Sequence, residues 1–203
     1  MPFDTALALI GFAFVMSVSP GPSNFLLLTS GVNFGFGRSV PLILGISIGF
    51  LSMVVIVGLG LGQVLKAHPY LGHGIRLACG VYVVWLASKI ARSRSLGSGG
   101  DQQIGKPFGF VEAAMLQLVN PKAWTVAIIV TASYVDPGSP AASLAVLVAL
   151  FALVNVPSIS LWAISGKALR IFLGEGNRIV VFNIAMAVLL VASMAPVILA
   201  SVQ

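Results

Sequence analysis

The chain has 203 residues, 58% of them hydrophobic and only 8% charged, with a mean hydropathy of +1.06 and a formal net charge of +6. Soluble domains carry about 25% charged residues. This composition cannot cover a water-exposed surface, so it excludes a soluble enzyme and specifies an integral membrane protein. The positive charge does not point to nucleic acid, because the basic residues lie between apolar runs rather than in a patch.

Six apolar runs approach or exceed the roughly 20 residues that cross a bilayer. They cover residues 3–30, 40–61, 75–90, 108–135, 141–165 and 179–200. The third is short, and its start is open back to Leu71. The fold class read from this pattern is an all-α membrane protein of six transmembrane helices, with helices one and four broken by proline.

The first run imitates a signal peptide, with an apolar stretch from Ala6 to Met16 and then Ser17-Val18-Ser19. Against that reading, the preceding residues carry Asp4 and no Lys or Arg, Pro20 would follow the cut, and apolar sequence resumes at Phe25. The first run is therefore read as a transmembrane helix. It is interrupted near its middle by Ser19-Pro20-Gly21-Pro22-Ser23-Asn24. The fourth is interrupted by Asn120-Pro121-Lys122. Irregular backbone at that depth exposes amides that lipid cannot satisfy, and it is tolerated where protein buries it or where it lines a wet cavity. A pair of broken segments at corresponding places in two halves points to a transport site.

Basic residues set the orientation. Arg38 follows the first run; Lys89, Arg92, Arg94 and Lys106 lie around the connection between the third and fourth; Lys167, Arg170 and Arg178 lie between the fifth and sixth. These connections hold eight of the eleven Lys and Arg. They are assigned to the cytoplasm, which puts both termini outside. Residues 93–107, rich in Gly and Ser, read as a flexible cytoplasmic loop. The single domain 1–203 then divides into a first three-helix repeat (1–90), the loop (91–107) and a second three-helix repeat (108–203). Three is odd, so the second set enters the membrane in the opposite sense, as in an inverted repeat.

Candidate site residues cluster at the breaks. A helix restarting after Pro20-Gly21-Pro22 presents free N–H groups, with Ser23 and Asn24 beside them. In the second break Asn120 is suited to cap a helix, Pro121 to begin it and Lys122 to sit in its first turn. Helix N-termini attract anions, so two such ends could hold the carboxylate of a small zwitterion. The alternative is a pair of kinks satisfied by neighbouring helices. Lys122 lies 14 residues from Phe108, roughly 21 Å along a helix, too far for its stem to reach water by snorkelling. It completes a carboxylate site or bonds to carbonyls that the breaks set free; both readings stand.

Gln117 and Asn120 share a helix face. Asn155, Ser158, Trp162 and Ser165 form a polar stripe on the fifth run, either lining a path or joining helices. Glu112 is the one carboxylate inside a run and clear of its end. It could carry a coupling proton, or simply complement the dipole of the helix it begins. Glycine pairs at 31/35, 45/49 and 58/62 suit close helix packing, and a homo-oligomer stays open. Cys79, alone in an apolar run, is read as packing. His68 and His73 lack acidic company for a metal, and no later histidine exists to build a rhomboid-like protease. The sequence calls for no cofactor and no metal.

Pro20-Gly21-Pro22 with Asn24, then Gly35, Gly37 and Arg38, Gly45 and Gly49, the run Gly80-Val81-Tyr82 through Trp85 to Lys89, and Asn120-Pro121-Lys122-Ala123 occur in order and at consistent intervals. Together they make the chain similar to the LysE/RhtB family of amino-acid exporters along essentially its whole length. The resemblance implies efflux of amino acids or close derivatives across the cell membrane, driven by protons, with both proline signatures functional. Two positions depart from it. Phe50 stands where many members have an acidic residue, which leaves the coupling residue open and turns attention to Glu112. Asn183 stands where helix six often has glycine. The function expected is secondary export of a neutral or aliphatic amino acid. A passive channel for small solutes or a non-transporting membrane subunit are the alternatives.

Overall fold

In the computed structural model, residues 1–91, 107–173 and 177–193 are described. They form nine α-helices: α1 (Phe3–Val18), α2 (Pro22–Phe34), α3 (Phe36–Ile56), α4 (Gly62–Ala67), α5 (Pro69–Ala91), α6 (Phe110–Leu118), α7 (Pro121–Tyr134), α8 (Pro140–Leu173) and α9 (Asn177–Ala192). Three stretches are individually long and apolar enough to cross a membrane: Phe36–Leu65, Tyr70–Ser88 and Pro140–Leu173. Two bent pairs, α1 with α2 (57°) and α6 with α7 (69°), raise the number to five if each pair is one span. The last apolar helix, α9, has 16 residues. The remainder of the expected sixth run, 194–200, lies outside the described residues, as does nearly all of the expected loop.

Both expected breaks are present, and local chemistry explains where each helix stops. Pro20 has no N–H and Gly21 is extended, so α1 ends at Val18 and α2 begins on Pro22, whose fixed φ suits a first turn. Asn120 caps α7 as expected, its side-chain oxygen accepting the Lys122 backbone N–H at 3.1 Å. Other boundaries differ from the hydropathy reading. The second run bends at a π-helical turn, Val57–Leu61, where Gly60 has φ 125°, and continues as α4. Pro157 does not end α8, which runs on to Leu173 and carries Lys167 and Arg170 on its last turns. Between α7 and α8 the exposed Asp136 accepts from the Gly138 N–H and the Ser139 hydroxyl, and these bonds hold its carboxyl below the usual range.

Helix packing relies on glycine at one expected pair, Gly45 and Gly49, at Gly31 of another, and at Gly166, which belongs to none of the expected pairs. A Cβ at Gly31 would overlap the Ala163 carbonyl, and one at Gly166 the Leu28 carbonyl, so α2 and α8 touch backbone to backbone. Gly45 and Gly49 bring α3 equally close to α6 at Phe110, Ala113 and Ala114. These glycines are thus occupied within the chain. Gly35 differs: it has φ 79° and open space, and serves the turn between α2 and α3.

The buried apolar residues form two clusters. One gathers Phe25, Leu27, Val32, Leu42, Ile46, Leu86, Leu116, Ile159 and Leu190. The other gathers Leu9, Ala13, Phe50, Met53, Val126, Leu147 and Phe151. Between them, where α3 passes from Ile46 to Phe50 and α8 from Ile159 to Phe151, the two breaks meet.

Candidate functional site

The end of α1 would leave the carbonyls of Ser17, Val18 and Ser19 without helical donors. Side chains from three other helices supply them. Asn24 of α2 donates Nδ2 to both Ser17 O and Ser19 O, each at 2.8 Å. Trp162 of α8 donates Nε1 to Val18 O at 3.1 Å. Lys122 of α7 donates Nζ to Ser19 O at 2.6 Å and Ser19 Oγ at 2.8 Å, and reaches Pro20 O at 3.4 Å. The lysine stem crosses directly over Gly21, where a Cβ would come within 2.8 Å of its Cδ. Glycine is needed there for space; its backbone is extended and imposes no demand of its own. At the other break Trp124 Nε1 donates to Leu118 O, the last carbonyl of α6, at 2.8 Å.

The two breaks are also joined directly. Ser23 Oγ accepts from Asn120 Nδ2 at 2.9 Å and from Gln117 Nε2 at 3.1 Å, and Asn120 Nδ2 also donates to Gln117 Oε1. A second buried link runs through α8: Asn155 Nδ2 donates to Ser17 Oγ at 2.9 Å and its Oδ1 accepts from Ser47 Oγ at 3.1 Å. Ser23, Asn24, Gln117, Asn120, Ser47 and Asn155 are all buried. Buried amides and hydroxyls are costly unless bonded; these are bonded in two groups, Ser23 with Gln117 and Asn120, and Ser47 with Asn155 and Ser17, while Asn24 holds the backbone carbonyls of Ser17 and Ser19.

A cavity of about 50 Å³ lies in this layer. A water needs roughly 10–15 Å³ on this scale, so the space holds a few waters and a larger guest must displace side chains. One wall is polar: Ser17, Gly21, Ser23, Asn24, Gln117, Asn120, Lys122 and Asn155. The other is apolar, with Met16, Ile46, Phe50, Ala123, Val126, Phe151 and Ile159. Phe50 and Phe151 lie against each other with ring centroids 5.0 Å apart. Among the described residues, no acidic one lines the cavity.

Most residues singled out from sequence come together here. Gly21, Ser23, Asn24, Gln117, Asn120, Lys122 and Asn155 line the cavity, whereas Pro22 and Pro121 are buried behind it as helix starts and Pro20 is exposed. Lys122 occupies freed carbonyls, one of the two arrangements open from sequence. Ser158 is buried away from the cavity lining. Trp162 is also outside the lining; it holds Val18 and meets Phe25 edge-on. Glu112 is exposed and accepts from the Gly109 N–H at 2.9 Å, in the first turn of α6. Sequence reasoning passed over Ser17 and Ser47. A signal existed at Ser47, a lone polar residue between Gly45 and Gly49. Ser17 was hidden by its place in the small-residue triplet that imitates a cleavage site.

The family profile described as LysE type translocator matches residues 14–198. Relatives named cysteine/O-acetylserine efflux protein, from Escherichia coli (strain K12), Escherichia coli O9:H4 (strain HS) and Shigella flexneri, are each 32% identical over 183 residues. The match covers 89% of this chain and 90% of theirs. No solved structure matches. The profile spans both breaks and all the lining residues of the cavity, and on that match the chain belongs to the LysE type translocator family of membrane transporters and is not an enzyme.

Proposed function

We propose that the protein exports a small neutral amino acid or close derivative from the cytoplasm as a secondary transporter, with the substrate held at the bilayer midplane in the cavity between the two broken helices. The observation that carries this reading is the bonded polar layer between two apolar clusters, formed where α1–α2 and α6–α7 break. A membrane protein gains little from such a layer as packing alone, since interhelical polar bonds average about 0.6 kcal/mol. The names of the relatives favour a substrate of the size and polarity of cysteine or O-acetylserine. A half-apolar wall and a small cavity suit a short side chain.

The reading includes six spans in two inverted repeats, with α9 as the start of the sixth and both termini outside. Its support is the correspondence of packing: α3 lies along α6, and α8 along α1 and α2, as a relation between the halves requires. The proton gradient is assigned as the drive. Glu112 is the one carboxylate in the expected spans that is clear of a span's end, although its place at an exposed helix start keeps it away from the cavity.

Everted membrane vesicles test the function. With an imposed pH gradient, vesicles containing the protein should accumulate labelled cysteine or O-acetylserine above vesicles lacking it, and collapse of the gradient should release it. Equilibration that persists unchanged without the gradient would indicate a channel. Absence of any flux, with normal insertion, would indicate a non-transporting subunit.

A further inference from the structure

Among the described residues no acidic side chain lines the cavity, so they offer no carboxylate to a substrate's ammonium group there. Yet an amino acid brings an ammonium group as well as a carboxylate. A cluster of acceptors beside Lys122 is the end of α1, where the dipole of the helix is negative. Its Ser19 carbonyl, Ser19 hydroxyl and Pro20 carbonyl already hold an ammonium group, that of Lys122.

We infer that Lys122 Nζ is a stand-in for the substrate's ammonium group: the zwitterion takes the seat at Ser19 and Pro20, and the displaced lysine pairs with its carboxylate. This deepens the exporter reading and rests on it. The exchange is chemically matched. An alkylammonium replaces an alkylammonium on the same neutral oxygens, so no acceptor is left bare. The released lysine moves from carbonyl partners to a full negative charge, where charge-assisted hydrogen bonds are stronger. Ser19 O also keeps Asn24 throughout, and Ser19 Oγ keeps its bond to Met16 O at 3.1 Å, so the seat survives the exchange. The lysine can move because its stem passes over Gly21, where no side chain confines it. Two consequences follow for selectivity. A substrate lacking either charge cannot complete the exchange, and a dicarboxylic amino acid would leave its second charge unpaired against the apolar wall.

The test is equilibrium binding to the purified protein in detergent. Labelled L-cysteine on the wild type is challenged with 3-mercaptopropionate, which lacks the ammonium, and with cysteamine, which lacks the carboxylate. Each should compete at least about 30-fold more weakly than L-cysteine, the effect of losing one hydrogen-bonded charge. In Lys122→Met the seat is empty, so labelled cysteamine should bind about tenfold or more tightly than it does to the wild type. Ser19→Ala, which keeps the lysine and the carbonyls, should weaken L-cysteine about tenfold and leave 3-mercaptopropionate unchanged. Equal competition by 3-mercaptopropionate and L-cysteine, or no gain of cysteamine binding in Lys122→Met, would overturn the seat. If the wild type binds no L-cysteine, a cysteine-like substrate is wrong for the exporter, and the cysteamine comparison still decides the seat.

Discussion

Lys122→Met is expected to lower export at least about 30-fold, the worth of a charge-assisted bond to a carboxylate, while the protein still inserts and folds. The two halves of this expectation have separate causes. Folding should survive because Ser19 O retains Asn24 and Ser19 Oγ retains Met16 O, while Pro20 O, at 3.4 Å, is a weak partner to lose. Removing a cation from within a membrane also removes an insertion cost of about 2.5–3.5 kcal/mol on translocon scales. Export should fail because no other cation among the described residues lines the cavity, so a carboxylate entering it would meet amides and hydroxyls. Initial rates in vesicles, normalised to inserted protein, check the prediction. Export within twofold of wild type would remove Lys122 from the site.

Gly166→Ala should have the largest effect on stability. The added Cβ would overlap the Leu28 carbonyl and come within 3.0 Å of the Val32 nitrogen and the Gly31 Cα. All three are backbone atoms of α2, so no side-chain rotation relieves the clash, and α2 and α8 must separate. Overpacking of this kind costs about 1–3 kcal/mol and occasionally more. Because α8 also carries Asn155 and Trp162, which hold Ser17 and Val18, separation would loosen the end of α1 as well. Gly11→Ala is the matched comparison. Nothing lies within 4 Å of its Cβ position, and alanine in a helix interior gains about 0.5–1 kcal/mol over glycine. Thermal unfolding in detergent should show a clear drop for the first variant and none for the second; equal melting would mean that the α2–α8 contact is looser than described.

The breaks were legible in sequence because proline within an apolar run has few explanations, and Asn120-Pro121 spells a cap and a first turn by itself. Lys122 was conspicuous for its depth, but its partner was not, because Ser19 is 103 residues away and only the meeting of α1 with α7 brings the two together. The same holds for Trp162: its spacing marked a polar stripe along one helix, while its bond to Val18 depends on how α8 crosses α1. Periodicity shows which residues share a face and leaves open what that face meets. Helix ends were blurred where hydropathy fades gradually, as in the last turns of α8, and where a π-helical turn and Gly60 bend an unbroken apolar run. In sequence Phe50 is only a departure from the family pattern; in the fold it forms part of the apolar wall beside the lysine.

A transported molecule seated in the cavity between the breaks should shield the residues of its wall. Ala123 is buried in that wall next to Lys122, and Cys79 is the single native thiol. With Cys79→Ser as background, Ala123→Cys can be alkylated by a small thiol reagent in the presence and absence of O-acetylserine. O-acetylserine should slow alkylation in proportion to its occupancy, with half-protection at the concentration that half-saturates export. Alkylation at the same rate with and without saturating, transported O-acetylserine would place the substrate elsewhere and contradict the account.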